Sequence, residues 1–268
     1  MKIKLVCYNI LNGITTDGKP YILDKKRRDA VIEIINEEKP DVLALCEAWF
    51  WPFAKKDSLK NIERLVDSLT KTQFPSEEVF RYAPVIFSRF PITYQNLSEY
   101  HRKLVRSKIR VGTKEITLDL YHPSPDKITE EEKASFLGKH IDKIMPRHIL
   151  AGDFNTASPH DNYDAAKLLR GYSTFMGNAA GERVRGLMAA ETVRLVLSKG
   201  FVDSYKIKEQ KEKYTVPTDF RSKNKDSSVR IDYIFCSKDI KVIDSGIIKN
   251  KFTEIASDHY PIYAVLEI

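Results

Sequence analysis

The residues able to do chemistry in this chain stand at the ends of short apolar runs, and they are spread from Asn9 to Asp258-His259, close to both termini. Ile3–Tyr8 is a β-type run that leads into Asn9, and Asp41–Cys46 (DVLALC) leads into Glu47. A run ending at Tyr121 leads into His122, His148–Ala151 leads into Gly152-Asp153-Phe154-Asn155, and Asp258-His259 stand just before the run Pro261–Ile268. Near-continuous apolar runs of this length read as strands covered on both faces. Strand ends converge on one rim in layered α/β folds, so if these polar residues form one site, the two ends of the chain must fold together. That constraint favours a single domain over residues 1–268, and no stretch carries the Pro, Gly or Ser enrichment of a linker.

The segments between the runs supply the other layers. Asp24–Glu38 places Ala30, Val31, Ile34 and Ile35 at helical intervals and stops before Pro40, and Leu59–Leu69 repeats the pattern with Ile62, Leu65, Val66 and Leu69. Tyr82–Ser88, Lys103–Val111 and Glu115–Tyr121 are strand-like, the last two joined across Gly112-Thr113, which reads as an antiparallel block. Thr129 with Glu132 three residues on is a capping box, opening a helix to about Ile144. A further helix is expected from Arg185 to Lys199, stopped by Gly200, and then strands at Arg230–Cys236, Lys241–Ile248 and Pro261–Ile268. The expected class is α/β: a four-layer sandwich of two packed, mainly antiparallel sheets flanked by helices.

Charge and cysteine usage narrow the setting. The formal charge of +7 and pI of about 9.1 suit a polyanionic partner, although the cations are interleaved with acids, as on many mildly basic soluble proteins. Cys7, Cys46 and Cys236 each fall inside an apolar run, without the spacing of a zinc site or a disulfide framework, which points to a reducing compartment. The apolar run at the N-terminus is too short for a signal peptide and no segment has the length of a membrane span. The expectation is a cytoplasmic protein with no stable membrane insertion; nothing in the sequence sets its oligomeric state.

Taken singly, the polar residues have ordinary readings. Asn9 could cap a turn, Glu47 could be a solvated strand end, His122 before Pro123 could sit in a turn, and Asp153 could make an Asx turn. Asp232 is harder to dismiss, because a carboxylate inside the apolar run RIDYIF is costly to bury unpaired, and a histidine would serve as partner. Together, four acids (Glu47, Asp153, Asp232, Asp258), two histidines (His122, His259) and two amides (Asn9, Asn155) are what a hard divalent cation and a phosphate ester require.

The ordered series YNILNG, ALCEAW, SRFPI, YHPSPD, AGDFNT, RIDYIF and SDHYPI resembles the endonuclease/exonuclease/phosphatase superfamily, over residues 3 to 268. The resemblance implies a phosphoesterase dependent on Mg²⁺ or Mn²⁺. It implies Glu47 as principal metal ligand, with Asn9 and Asp258 beside it or one water away. His259 would meet the scissile phosphate, Asp232 would hold the His259 ring, Asp153 would orient the attacking water, and Asn155 would donate to a phosphoryl oxygen. His122 stands where many members carry a histidine acting on the leaving group or the phosphate.

The substrate is less constrained. Abasic-site endonucleases of the superfamily typically carry Tyr-x-Pro-Asn where this chain has Tyr121-His-Pro-Ser, and a tryptophan-rich segment where it has Tyr214-Thr-Val-Pro-Thr, so that branch is disfavoured. Arg183 and Arg185, in an expected loop, with Lys213, Arg221, Lys223, Lys225 and Arg230, supply cations suited to nucleic acid, and Arg221, Lys223, Lys225 and Arg230 are the candidate substrate-binding residues. The alternative is a phosphatase or phosphodiesterase acting on a small or lipid phosphoester, for which Trp49-Phe50-Trp51-Pro52-Phe53 could be a membrane-touching loop; the same cluster could instead close over the metal or stack on bases. An inactive binding scaffold is the third reading, disfavoured because every expected position is filled.

Overall fold

Every residue of Val42–Cys46 (β4) is buried, and so is nearly all of Lys2–Asn9 (β1), so both strands need cover on two faces. They pair in parallel, Leu5 opposite Val42 through Asn9 opposite Cys46, while the other edge of β1 pairs antiparallel with Ile262–Glu267 (β14). The first and last strands are therefore neighbours, as the placement of the polar residues requires. In this computed structural model all residues are described except 17–18, 49–69, 73–83, 209 and 211.

Thr15–Thr16 (β2) and Lys19–Leu23 (β3) make a small ribbon of their own. The first large sheet adds Thr70–Thr72 (β5), Val85–Ser88 (β6) and Lys241–Ile247 (β13), in the order β13-β14-β1-β4-β6-β5. The second contains Ile92–Asn96 (β7), Arg102–Val111 (β8), Lys114–Pro123 (β9), His148–Asp153 (β10), Val202–Asp203 (β11) and Asp232–Cys236 (β12), in the order β11-β12-β10-β9-β8-β7. Each sheet has one parallel pair, β1 with β4 and β9 with β10, and is otherwise antiparallel.

Leu5, Cys7, Ala44 and Cys46 from one sheet meet Leu118, Leu120, Ile149 and Ala151 from the other in the central core. The opposite face of the first sheet, with Val6, Leu43 and Phe87, lies under Ala30, Val31 and Ile34 of Lys25–Glu38 (α1). The outer face of the second, with Tyr121, Leu150 and Phe235, lies under Phe136 and Leu137 of Glu130–His140 (α2) and Val193 and Val196 of Glu191–Ser198 (α5). This is the expected four-layer arrangement of two sheets between helices.

Local sequence explains most element ends. Asp24 accepts from the Arg27 backbone to start α1, Lys39 ends it in the left-handed region, and both bonds of the Thr129–Glu132 capping box are present. Three details differ from expectation. Helix α2 stops at His140 rather than near Ile144, and Ala165–Met176 (α3) is a helix that its sequence, interrupted by Gly171, does not advertise. The segment Arg185–Lys199 is not one helix: Ala180–Ala189 (α4) ends at Ala190, whose φ of 56° starts a new direction for α5. Thr253–Ala256 (α6) is a single turn before the last strand. The helix expected at Leu59–Leu69, the cluster Trp49–Phe53 and the beginning of the run Tyr82–Ser88 lie outside the described residues.

One buried charge cluster joins the second sheet to its helix layer. Asp119 of β9, with no exposed surface, accepts from Arg106 of β8 through Nε at 2.8 Å and Nη2 at 2.7 Å, and lies 3.0 Å from His148 Nε2 of β10. Arg106 Nη2 also donates to the carbonyl of His140 at the end of α2. Burial alone would raise the Asp119 pKa, but the bonds from Arg106 and His148 prevail and hold it below the usual carboxylate range. Asp119→Ala should therefore cost about 3–5 kcal/mol in urea unfolding at pH 7, since it leaves a partly buried guanidinium without its anion. A carboxyl with a depressed folded pKa contributes stability above its unfolded value of about 3.9 and loses it as pH falls through the folded value. The gap between wild type and variant should thus narrow below about pH 4; a gap under about 1 kcal/mol at pH 7, or one that widens in acid, would contradict this role.

Candidate active site

Strand register brings the polar residues to one rim. Asn9 closes β1, Glu47 follows β4, His122 lies at the end of β9, and Asp153 at the end of β10 is paired in register with Asp232 at the start of β12. Asp258 and His259 follow α6 and precede β14. Asn9 Nδ2 donates to Glu47 Oε1 at 3.2 Å and to Asp153 Oδ2 at 3.0 Å, while its Oδ1 accepts from the Leu11 backbone.

The loop after β1 is backbone-strained, with Leu11, Asn12, Gly13 and Ile14 all at positive φ. Arg27 of α1, itself buried, holds it there by donating to the carbonyls of Ile10, Leu11 and Thr15, and also to that of Ala256 in α6. The loop thereby points the Asn12 amide at Glu47 Oε2, 2.9 Å away. Glu47, at φ 53°, has a carboxyl raised by burial and by the nearby Asp258 charge, against the pull of His122 and the amide donors.

On the second sheet, Gly152 has φ 142°, and a Cβ there would lie 1.9 Å from the Tyr121 carbonyl oxygen, so only glycine allows β10 to deliver Asp153 at this point. Asp153 accepts from the Asn155 backbone at 2.9 Å and from Asn155 Nδ2 at 3.3 Å. His259 Nε2 lies 3.7 Å, and His122 Nε2 3.5 Å, from Asp153 Oδ2. Burial opposes ionisation of Asp153, but the His259 charge and the contacts with His122 and Asn155 hold it well below the usual range. The His259 Nδ1 lies 2.9 Å from Asp232 Oδ2. Burial works against a charged His259 and is outweighed by Asp232 and Asp153, which raise its pKa well above the ordinary value. His122 is likewise pushed up to about 9, against burial, by Asp153 and Glu47 among its neighbours.

Of these groups Glu47, Asp153, Asn155, Asp258 and His259 line a cavity of about 310 Å³, whereas Asn9, His122 and Asp232 are buried and not part of its lining. Among the described residues, neither Glu47 nor Asp258 has a Lys or Arg ion-pair partner, and Glu47 accepts hydrogen bonds from amides alone. Two oxygen-donor carboxylates on one cavity without a lysine or arginine partner fit a hard divalent cation. Asp153, Asp232 and His259 also offer ligand atoms within 4.8 Å of one another, but Asp232 is already engaged by the imidazole. Asn9 enters this site as a donor between carboxylates.

The basic residues divide. Arg221 lines the cavity and Lys223 is exposed but not part of the lining, while Lys225 donates to Asp219 Oδ1 at 2.8 Å and to two carbonyls of its own loop. Arg230, expected at the substrate, is instead a core residue: it is 1% exposed, paired with Asp161 at 2.9 Å and Asp203 at 2.8 Å, and packed against the Tyr205 and Tyr233 rings. Arg183, expected in a loop, lies on α4 and donates to Asn155 Oδ1 at 2.9 Å and to the Pro125 carbonyl at 3.1 Å. Lys133 of α2, not singled out from sequence, is buried and donates to Glu130 and to the Asn155 carbonyl. Val184, Leu187 and Met188 stand at helical spacing, a signal that places Arg183 on a helix; a mid-helix lysine gives none.

A model of the Endonuclease/Exonuclease/phosphatase family matches residues 6–259. No curated protein sequence matches the chain. Among solved structures, an endonuclease/exonuclease/phosphatase from Beutenbergia cavernae is similar over 100% of this chain and 72% of its own, at 19% identity and a TM-score of 0.65. D. rerio TDP2, solved in complex with a single-strand DNA product, is similar over 100% and 99% at 16% identity and a TM-score of 0.64. The endonuclease domain of TRAS1, a telomere-specific non-LTR retrotransposon, is similar over 100% and 99% at 14% identity and a TM-score of 0.60. At such identities the likeness is one of fold.

The contact between His259 and Asp232 can be checked without substrate. In NMR titrations His259 should stay protonated well above the ordinary histidine value of about 6.5, and Asp232→Asn should lower its pKa. An unchanged His259 titration in the variant would separate the two residues.

Proposed function

Because the chain belongs to the endonuclease/exonuclease/phosphatase family, whose members hydrolyse phosphoric esters, we propose that it is a Mg²⁺-dependent phosphodiesterase that cleaves nucleic acid by in-line attack of water. The observation that carries this reading is the common cavity: Glu47 and Asp258, two carboxylates with no lysine or arginine ion-pair partner among the described residues, beside Asp153 and a His259 imidazole held by Asp232.

Glu47 and Asp258, with Asn9 beside them, would hold Mg²⁺ or Mn²⁺, which supplies positive charge to the phosphoryl and leaving oxygens. The remaining work falls to the chain. Asp153, kept anionic by its neighbours, orients a water molecule and takes its proton as the new P–O bond forms. His259 donates through Nε2 to a non-bridging oxygen, and Asp232 at Nδ1 keeps the ring oriented and charged as that oxygen gains charge. Asn155 is tied to Pro123 and Asp153, and the longer of these bonds, 3.3 Å to Asp153, is the one that yields when its amide turns to a phosphoryl oxygen. His122, protonated near neutral pH, places a second cation between Glu47 and Asp153 and is suited to the leaving oxygen. Water attacks phosphorus directly, the ester P–O bond breaks on the opposite side, and no covalent enzyme intermediate forms.

Nucleic acid is favoured by the cations lining the cavity, Arg183 and Arg221, and by the single-strand DNA product seen with the structurally similar TDP2. Glu47→Gln keeps the shape of the side chain but removes the charge a hard cation needs. It should cut Mg²⁺-dependent cleavage of a single-stranded oligonucleotide by roughly 100-fold or more, about 2.7 kcal/mol in the barrier, with an unchanged circular dichroism spectrum. Wild-type activity indifferent to EDTA, or a Gln variant as fast as wild type, would rule out the metal role.

A further inference from the structure

The catalytic rim accounts for only one side of the cavity. The other side is a wall built by α3, whose N-terminus is capped by Asp164 and whose middle presses on the turn around Ser227. A Cβ at Gly171 would lie 2.3 Å from the Ser227 nitrogen and 2.5 Å from the Asp226 carbonyl carbon, so helix and turn touch backbone to backbone. This approach sets Tyr172, Phe175 and Met176 along the cavity, with the Tyr172 and Phe175 rings 5.4 Å apart and tilted by 44°. Val216 and Ile231 also line it. Tyr172 is packed into the core, but Phe175 is 52% exposed, an aromatic ring left in water beside a charged centre that has no use for it in hydrolysis.

We propose that this wall is a subsite for the heterocyclic base of a nucleotide joined to the scissile phosphate, so that the preferred substrate is an unpaired or single-stranded nucleotide rather than continuous duplex. The proposal rests on the phosphodiesterase reading above and adds which feature of the substrate is recognised. A cavity of about 310 Å³ holds a ligand of nucleotide size, not a stacked duplex, and a base must leave its stack to enter it. Aromatic and thioether surfaces are sequence-tolerant stacking platforms. The lining also holds polar groups, among them Arg183, Arg221 and Ser227. A heterocycle has polar edges for these groups, whereas an acyl chain would cover them without replacing their hydrogen bonds with water. Arg183 further couples the wall to the chemistry, since the same guanidinium donates to Asn155.

The test uses thymidylyl-thymidine, which has one phosphodiester, and two analogues in which one or the other base is replaced by hydrogen on a tetrahydrofuran sugar, all with Mg²⁺ and the full chain. Wild type should cleave one analogue roughly ten-fold less efficiently in kcat/KM, the size expected for loss of one stacked base. Phe175→Ala should lower kcat/KM on the intact dinucleotide by a similar factor and bring the ratio between it and that analogue close to one, while Phe175→Tyr restores the preference. Equal cleavage of all three by wild type would overturn the base subsite and leave the phosphodiesterase reading standing. Turnover of a phosphocholine lipid diester without turnover of the dinucleotide would overturn it in favour of an acyl chain on the same wall. Hydrolysis of neither, nor of bis(p-nitrophenyl) phosphate, would defeat the phosphodiesterase reading itself.

Discussion

The site depends on one buried carboxamide. Asn9, 1% exposed at the end of the first strand, donates to Glu47 on its own sheet and to Asp153 on the other, so a single side chain spans the seam between the two sheets. Hydrogen bonds to charged acceptors are worth about 1.5–3 kcal/mol each, and here they offset the cost of bringing two carboxylates together out of water. The backbone of Asn9 extends the link, since its carbonyl accepts from Ser257 Oγ at 2.7 Å, next to Asp258 and His259. Beginning, middle and end of the chain thus meet at one residue. The constraint is geometric before it is chemical: β1 must have β4 and β14 on its two edges and the second sheet on its face.

Charge at this seam is distributed unevenly, and the unevenness suits hydrolysis. Asp153 and Asp232 are compensated inside the protein by His259, and Asp153 by His122 as well. Glu47 and Asp258 are not compensated by any lysine or arginine among the described residues. The protein therefore carries a charge-balanced proton-handling group beside the two carboxylates proposed to hold the metal. The supports sit one layer further out. Arg27 clamps the strained loop under Glu47, and Lys133 and Arg183 hold Asn155 from its carbonyl and its side chain.

Much of this was legible in the sequence because the catalytic candidates stand at or beside one end of a strand whose apolar run is strong. Register then does the rest: pairing Asp153 with Asp232 follows from where β10 stops and β12 starts. What was not legible is held by long-range partners. Arg230 looks like a substrate cation in sequence, yet Asp161 and Asp203 capture it from distant segments and the Tyr205 and Tyr233 rings enclose it. The break at Ala190 has no local signal, since alanine favours helix and takes positive φ there only under tertiary packing. Helix α3 was hidden by Gly171, which lowers helix propensity but is required where the Ser227 turn touches the helix. Arg183, assigned to a loop, was recognised as basic but not as the partner of Asn155.

The central claim is that this shared rim hydrolyses its ester in one displacement, with water oriented by Asp153 and no residue taking the phosphoryl group. The stereochemical course at phosphorus tests it most directly. A phosphodiester substrate made chiral with sulfur at a non-bridging position, cleaved in ¹⁸O-labelled water, reports whether one or two displacements have occurred. The account predicts inversion of configuration with ¹⁸O in the product phosphorothioate. Retention would mean that a side chain of this site carries the phosphoryl group between two displacements, and would contradict it.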